Sequence, residues 1–198
     1  GTVPDSMRDA LERYQVLTYS VVYFSRHANG YTPPAYYPKN AIAVTSTHDV
    51  APLAGFWQGQ DLADMAALGV FDGDLSLPDA QAARERDKQD LFTALKHAGC
   101  MAADAVMPDT ATPELLAAIH AFGASSDSKL YAVQIENLLS IVTNFNIPGI
   151  DGGYPNWQRK LPINIDEMAQ HQAMHQQLNL IREIAMKKNA PPAQYPQP

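Results

Sequence analysis

The sequence predicts a parallel α/β fold, and three observations carry that expectation. Short runs of β-branched, aromatic and small apolar residues recur at 16–24, 41–44 and 130–135, the composition of short strands buried on both faces. Helix-starting and helix-stopping residues fill the intervals between them. The chain has 198 residues, 46% of them hydrophobic and 18% charged. That is enough for one domain with a real core and too apolar for a disordered segment.

Taken in order, Thr2, Pro4 and Asp5 followed by Met7, Ala10, Leu11 and Tyr14 at helical spacing predict a capped amphipathic helix near 3–14. The first strand follows at 16–24, then a turn-rich loop from Asn29-Gly30 to Pro38, then Ala41-Ile42-Ala43-Val44 as the second strand. Between 57 and 125 caps recur without a convincing strand. Ser76 with Pro78 and Asp79 starts a helix that Gly99 can end, and Thr112-Pro113-Glu114 starts another that Gly123 can end. Strand character returns at 130–135, residues 146–162 form a loop dense in Gly, Pro and Asn, and 166–188 reads as a final amphipathic helix before a loose Pro-rich tail.

Strands alternating with helices build either an open doubly wound sheet or a barrel. Three strands cannot close a barrel, so that architecture requires further strands from elsewhere in the protein. The opening Gly1-Thr2-Val3-Pro4 has no initiator Met and no secretory pattern, so the chain is expected to begin inside a longer sequence.

Composition narrows function. The net charge is −7 and no basic cluster exceeds Lys187-Lys188, so the electrostatic footprint of a nucleic-acid binder is missing. No apolar run approaches the roughly 18 residues of a membrane helix. The single cysteine, Cys100, cannot form an internal disulfide and agrees with a reducing compartment, which makes cytoplasm the expected location. No glycine-rich phosphate loop follows a predicted strand, which disfavours nucleotide binding.

Chemistry concentrates at His48-Asp49, just past the end of the second strand, where parallel α/β folds place functional groups. A carboxylate beside an imidazole in a Ser/Thr-rich turn suits sugar hydroxyls and positive charge developing on a sugar ring. The plainer reading is that Asp49 caps the next segment and His48 packs beneath it. His171 and His175 are four apart on a helix, but no third ligand is near them and no metal site is predicted. The aromatic group Tyr31, Tyr36 and Tyr37 reads as loop packing ahead of sugar stacking, Trp57 as core, and Cys100 as an inert buried thiol.

Thr45-Ser46-Thr47-His48-Asp49 resembles a motif of the amylomaltases, the 4-α-glucanotransferases of the α-amylase clan. Four further segments are similar in the same order. Gly1-Thr2-Val3-Pro4-Asp5 looks like the stretch after the Glu-Asp-Leu that carries the family's acid/base glutamate. Gly55-Phe56-Trp57 falls where a Gly-Trp-Trp-like segment stands, and Val133-Gln134-Ile135-Glu136-Asn137-Leu138-Leu139 looks like the last barrel strand. Asn146-Ile147-Pro148-Gly149 with Tyr154-Pro155-Asn156-Trp157-Gln158-Arg159-Lys160-Leu161 resembles the C-terminal signature. The family commonly has Asp at 137 and Thr at 150, so a polar role is not carried over to Asn137 or Ile150.

The resemblance implies the C-terminal part of a (β/α)8 barrel, with residues 1–56 giving two strands, 57–125 a helical insertion between the last two strands, 126–190 the last strand and C-terminal helix, and 191–198 a loose tail. It implies α-1,4-glucan or maltodextrin as substrate, the remainder of the same barrel as partner, and no cofactor. Asp49 would be the third catalytic carboxylate, stabilising the transition state. His48 and Asn146 would contact substrate, while Asn156 and Trp157 would fix the C-terminal loop. The nucleophilic aspartate and the acid/base glutamate would both precede Gly1, so the chain alone would be inactive. A rival from another class is a non-catalytic glucan-binding or interaction module derived from such a barrel.

Overall fold

The structure is a computed structural model and describes residues 4–28, 30–71 and 73–187. Helix α1 (Asp5–Arg13) leads into strand β1 (Thr18–Val21). A two-residue antiparallel pair, β2 (Arg26–His27) with β3 (Gly30–Tyr31), precedes β4 (Ala41–Val44). Four helices follow: α2 (Leu53–Gln58), α3 (Gln60–Leu68), α4 (Leu77–His97) and α5 (Pro113–Ala124). Strand β5 (Leu130–Tyr131) returns to the sheet before α6 (Ile135–Leu138), α7 (Ile165–Met168) and α8 (Gln172–Lys187).

The main sheet is parallel, in the order β1-β4-β5, with Thr18 opposite Ala41 and Ile42 opposite Leu130. The expected α/β class therefore holds: α2 to α5 form the crossover from β4 to β5, while the β2–β3 pair and two 3-10 turns make the one from β1 to β4. The central strand is the apolar one: Ala41, Ala43 and Val44 are buried.

Helix α5 anchors the core. Its sequence is apolar around the whole circumference, and a helix of that kind is stable only when covered on all sides. Leu115, Leu116, Ile119 and Phe122 are fully buried between the sheet and α8, where Gln177 Nε2 donates to Pro113 O at 3.0 Å. Thr112 caps the helix by accepting the Leu115 N–H at 3.2 Å. Helix α4 is amphipathic. It buries Leu91, Phe92 and Leu95, is capped by Ser76 and stops at Gly99, whose φ of 69° is the left-handed conformation glycine adopts without steric cost. Arg84 ties α4 to its neighbours: it forks onto Asp61 at 2.9 and 2.7 Å, donates to Phe56 O at 2.7 Å and lies 4.0 Å over the Phe56 ring. Trp57 is core, as expected, with Nε1 donating to Pro108 O at 2.9 Å.

Several sequence expectations are corrected. The strand expected over 16–24 is extended only from Thr18 to Val21, because a 3-10 turn over Val22–Phe24 follows at once. It is an edge strand, and Tyr19 is 58% exposed rather than buried. The strand at 130–135 stops at Tyr131, since Ile135 opens α6. Gly123 does not end α5, which runs on to Ala124. Its missing Cβ instead makes room for the Tyr131 ring, which an added carbon would meet at 2.6 Å. The single helix expected over 166–188 is two helices. Asn164 and Glu167 form a capping box on α7, and His171 Nδ1 then accepts the Met174 N–H at 3.3 Å at the start of α8. The helix cap expected at Thr2 and the tail over 191–198 lie outside the described residues.

Candidate active site

The site begins where β4 ends. Thr45 and Ser46 are fully buried polar residues, and buried polar groups must be paired. Tyr23 N–H donates to Thr45 O at 3.2 Å, extending the β1–β4 ladder past the strand end. The Ser46 hydroxyl hydrogen-bonds Gln134 Oε1. Asn137, 1% exposed, joins the two: its Nδ2 donates to Thr45 Oγ1 and Gln134 Oε1, both at 3.2 Å, and its Oδ1 accepts the Leu53 N–H at 2.8 Å. Leu53 is the first residue of α2, whose N-cap is Pro52. A proline has no side-chain acceptor for an orphan N–H at a helix start, so Asn137 supplies it from 84 residues away. Position 137 therefore has a polar role, which the sequence reading left open.

Tyr131 and His120 continue this network beneath the sheet. His120 Nδ1 and Tyr131 OH are 2.7 Å apart. Burial pushes the His120 imidazole down to about 3, so the ring is neutral at ordinary pH. Burial raises the Tyr131 phenol well above its ordinary value, opposed in part by its hydrogen bond to Thr45.

On this base the chain turns outward. The Asp49 N–H bonds Thr47 Oγ1 at 3.2 Å, a local turn of the kind Ser and Thr favour. His48 Nε2 lies 3.3 Å from Asp49 Oδ2, and Asn146 Nδ2 donates to Asp49 Oδ1 at 2.7 Å. The structure thus brings together all three residues singled out in the sequence, His48, Asp49 and Asn146, although the amide comes from 97 positions away. Asp49 and His48 keep about half of their side-chain surface exposed, whereas Asn146 is 9% exposed.

The loop that delivers Asn146 has little regular structure and is held by Asn156. That side chain accepts the Ile147 N–H at 2.8 Å and donates to Ile147 O and Ile150 O at 3.0 and 3.2 Å, so a single amide replaces a strand partner. Tyr154 OH donates to Asn144 O at 2.9 Å. Asn156 fixes the loop, as the resemblance implied, and Trp157 joins it through its backbone, its N–H donating to Phe145 O at 3.0 Å. Its indole is 64% exposed and stands against His48 with ring centroids 5.2 Å apart.

Two depressions flank the Asp49 turn. One, of about 440 Å³ open to solvent, is lined by Thr47, His48, Gln134, Glu136, Phe145 and Trp157. The other, of about 1070 Å³, is bordered by Asp49 with Tyr23, Phe24, Phe56 and Arg84. Sequence reasoning passed over Gln134 and Glu136 as site residues, although both lie inside a stretch whose family likeness it noted. Tyr31 and Tyr37 are buried in the core and only Tyr36 is exposed, in keeping with loop packing. His175 Nε2 is spent on Ala169 O at 2.8 Å, and among the described residues no group of three or more His, Cys, Asp or Glu could hold a metal.

A sequence profile of glycoside hydrolase family 77, described as 4-alpha-glucanotransferase, matches residues 1–166. The chain belongs to the 4-alpha-glucanotransferase family. It is 37% identical over 170 residues to a 4-alpha-glucanotransferase of Haemophilus influenzae, a match covering 81% of this chain and 23% of that protein. A 4-alpha-glucanotransferase of Mycobacterium bovis is 26% identical over 163 residues, covering 80% of this chain and 22% of that relative. The chain therefore spans about a quarter of the length of these curated relatives.

Solved structures agree on the fold. The crystal structure of amylomaltase from Corynebacterium glutamicum superposes with a TM-score of 0.80 at 22% identity, covering 93% of this chain and 27% of that one. Amylomaltase from Streptococcus agalactiae in complex with acarbose gives 0.56 at 13% identity, covering 96% and 30%.

Proposed function

We propose that this chain is the C-terminal part of a 4-α-glucanotransferase that moves α-1,4-glucan segments between maltodextrins by a retaining double displacement. The observation that carries the reading is the convergence of Asn146 and His48 on the two oxygens of Asp49 at the end of a central parallel strand. In the parent enzyme residues 1–56 would supply two strands of a (β/α)8 barrel, 57–125 a helical excursion that α5 brings back to the sheet, and 126–190 the last strand and C-terminal helix. The exposed edge residues Tyr19 and Leu130 support further strands on either side, since an open sheet edge seeks a partner.

A retaining transfer needs a nucleophilic carboxylate and a second carboxyl group acting first as acid and then as base, around an oxocarbenium-like transition state. Both would come from the rest of the barrel, and a sugar 4-hydroxyl would replace water as acceptor. Asp49 would take the third role, accepting hydrogen bonds from hydroxyls of the reacting glucose and opposing the positive charge on its ring. The Asn146 amide aims one carboxylate oxygen; little of it is exposed, so a direct sugar contact would involve only its rim. His48 would contact the same sugar. No cofactor enters this chemistry. Among the described residues no helix is long and apolar enough to cross a membrane; with a single cysteine, cytoplasm is the location we propose.

The test is glucose release from maltotriose by the full-length protein. Asp49→Asn keeps the shape and deletes the charge, and interactions made in the transition state lower kcat when lost. The expected fall in kcat is at least about 10³-fold with the melting temperature little changed, and the 198-residue chain assayed alone should give no turnover. Near-normal turnover in a folded Asp49→Asn protein, or activity in the isolated chain, would overturn the reading.

A further inference from the structure

The feature that neither the fold nor the Asp49 mechanism explains is Trp157. Its φ is 61°, in the left-handed region where a bulky residue is an outlier. Backbone strain of this type persists only where the surroundings impose it. Here they do: Trp157 N–H donates to Phe145 O at 3.0 Å, while the preceding Asn156 is clamped to Ile147 and Ile150. The conformation does not bury the indole. It turns the ring outward beside His48, as one wall of the depression of about 440 Å³.

That wall matches the chemistry of a pyranose ring. A glucosyl unit has an apolar C–H face rimmed by hydroxyls, and an aromatic face bordered by polar groups offers both complements. The same depression is lined by the Glu136 carboxylate and the Thr47 hydroxyl. Val50, Pro52 and Phe145 add apolar surface to the same lining, so the depression offers a sugar ring both kinds of contact.

We propose that Trp157 is the stacking platform of a glucosyl subsite adjoining the sugar held at Asp49, with His48 at the junction of the two and Glu136 accepting hydrogen bonds from the ring hydroxyls. This rests on the reading of the protein as a glucanotransferase and adds a residue that grips the sugar next to the reacting one. A platform that binds ground state and transition state alike changes KM and leaves kcat nearly untouched.

The experiment uses the full-length protein as wild type, Trp157→Phe, Trp157→Ala and Trp157→Gly, with maltotriose and maltoheptaose as substrates and a melting curve for each variant. Trp157→Ala is expected to raise KM about tenfold for both substrates, the size of one good aromatic contact, since a trisaccharide already fills a subsite adjoining the reacting sugar. Trp157→Phe should recover most of the loss. Trp157→Gly should bind as poorly as Trp157→Ala yet melt no lower than wild type, because glycine accepts the positive φ without strain. An unchanged KM in Trp157→Ala overturns the proposal, and so does a Trp157→Gly protein that melts several degrees lower, which would make the indole a packing residue. Should wild type release no glucose from maltotriose, the transferase reading fails by itself. Calorimetric titration with maltoheptaose then decides the subsite: binding lost in Trp157→Gly upholds it, and equal affinity overturns it.

Discussion

The turn after β4 and the loop that carries Asn146 and Trp157 meet at one carboxylate, yet they are held in opposite ways. Beneath the turn, the buried Thr45, Ser46 and Asn137 and the half-buried Gln134 are bonded to one another, so Asp49 stands on a braced base. The loop is held from the side by scattered bonds, chiefly those of the Asn156 amide with Tyr154 OH on Asn144 O, and departs from ordinary backbone geometry at Trp157. Polar burial under the turn leaves one arrangement in which every partner is used, which is how such networks specify position. The loop trades local strain for the direction in which an indole points.

The largest effect should come from breaking the base. Asn137→Leu fills the same space but leaves the Leu53 N–H without its partner and takes one of two from the Thr45 hydroxyl, which keeps Tyr131. At about 1–3 kcal/mol for an orphaned buried group, a loss near 3 kcal/mol is expected in denaturant unfolding of the full-length protein. Asn137→Asp, which keeps an acceptor for Leu53, should recover most of it. Equal stability of the leucine variant would show that the turn needs no polar support.

Next is the seam between the two regions. A Cβ on Gly55 would sit 2.1 Å from Val142 O, so α2 and the segment leading into the loop touch backbone to backbone. Glycine to alanine in a helix ordinarily gains about 1 kcal/mol. The overlap should outweigh this, because the atom met is main chain and overpacking costs about 1–3 kcal/mol or more. A net loss of about 2 kcal/mol is expected in the same unfolding measurement, and a stabilised Gly55→Ala protein would mean that the seam is loose.

The smallest effect, taken per pH unit, tests how dry the base is. His120 titrates at about 3 when folded against 6.5 for its ordinary value, so between those values the unfolded chain binds more protons. Stability then falls as pH drops through that window and is unaffected by His120 above it, with a slope of at most about 1.4 kcal/mol per pH unit. His120→Leu should flatten this acid dependence by that amount and leave the profile above pH 6.5 parallel to wild type. Identical acid profiles would mean that water reaches the imidazole.

What could be read beforehand follows from the range over which each signal acts. Ser76, Thr112 and Gly99 announced helix ends because a cap is settled within one turn of chain. The break near 169–171 escaped notice because the periodicity of 166–188 runs straight through it, while the deciding contacts are the His171 and Asn164 caps. At the site, His48 and Asp49 were legible as a pair at a strand end and Asn146 from a motif. The support from Asn137 was not, since its partners are Thr45 and Leu53, 92 and 84 positions away.

The sequence by itself therefore determined the α/β class, the helix ends set by their own caps, and a carboxylate beside an imidazole just past a buried strand, because composition and short spacings act locally. Only the tertiary structure decided which oxygen of Asp49 each partner holds, that Asn137 stands in for the cap Pro52 cannot provide, and that the Trp157 indole faces outward beside His48. Those outcomes depend on packing between segments far apart in the chain, where burial and hydrogen-bond geometry act together and no local pattern records the result.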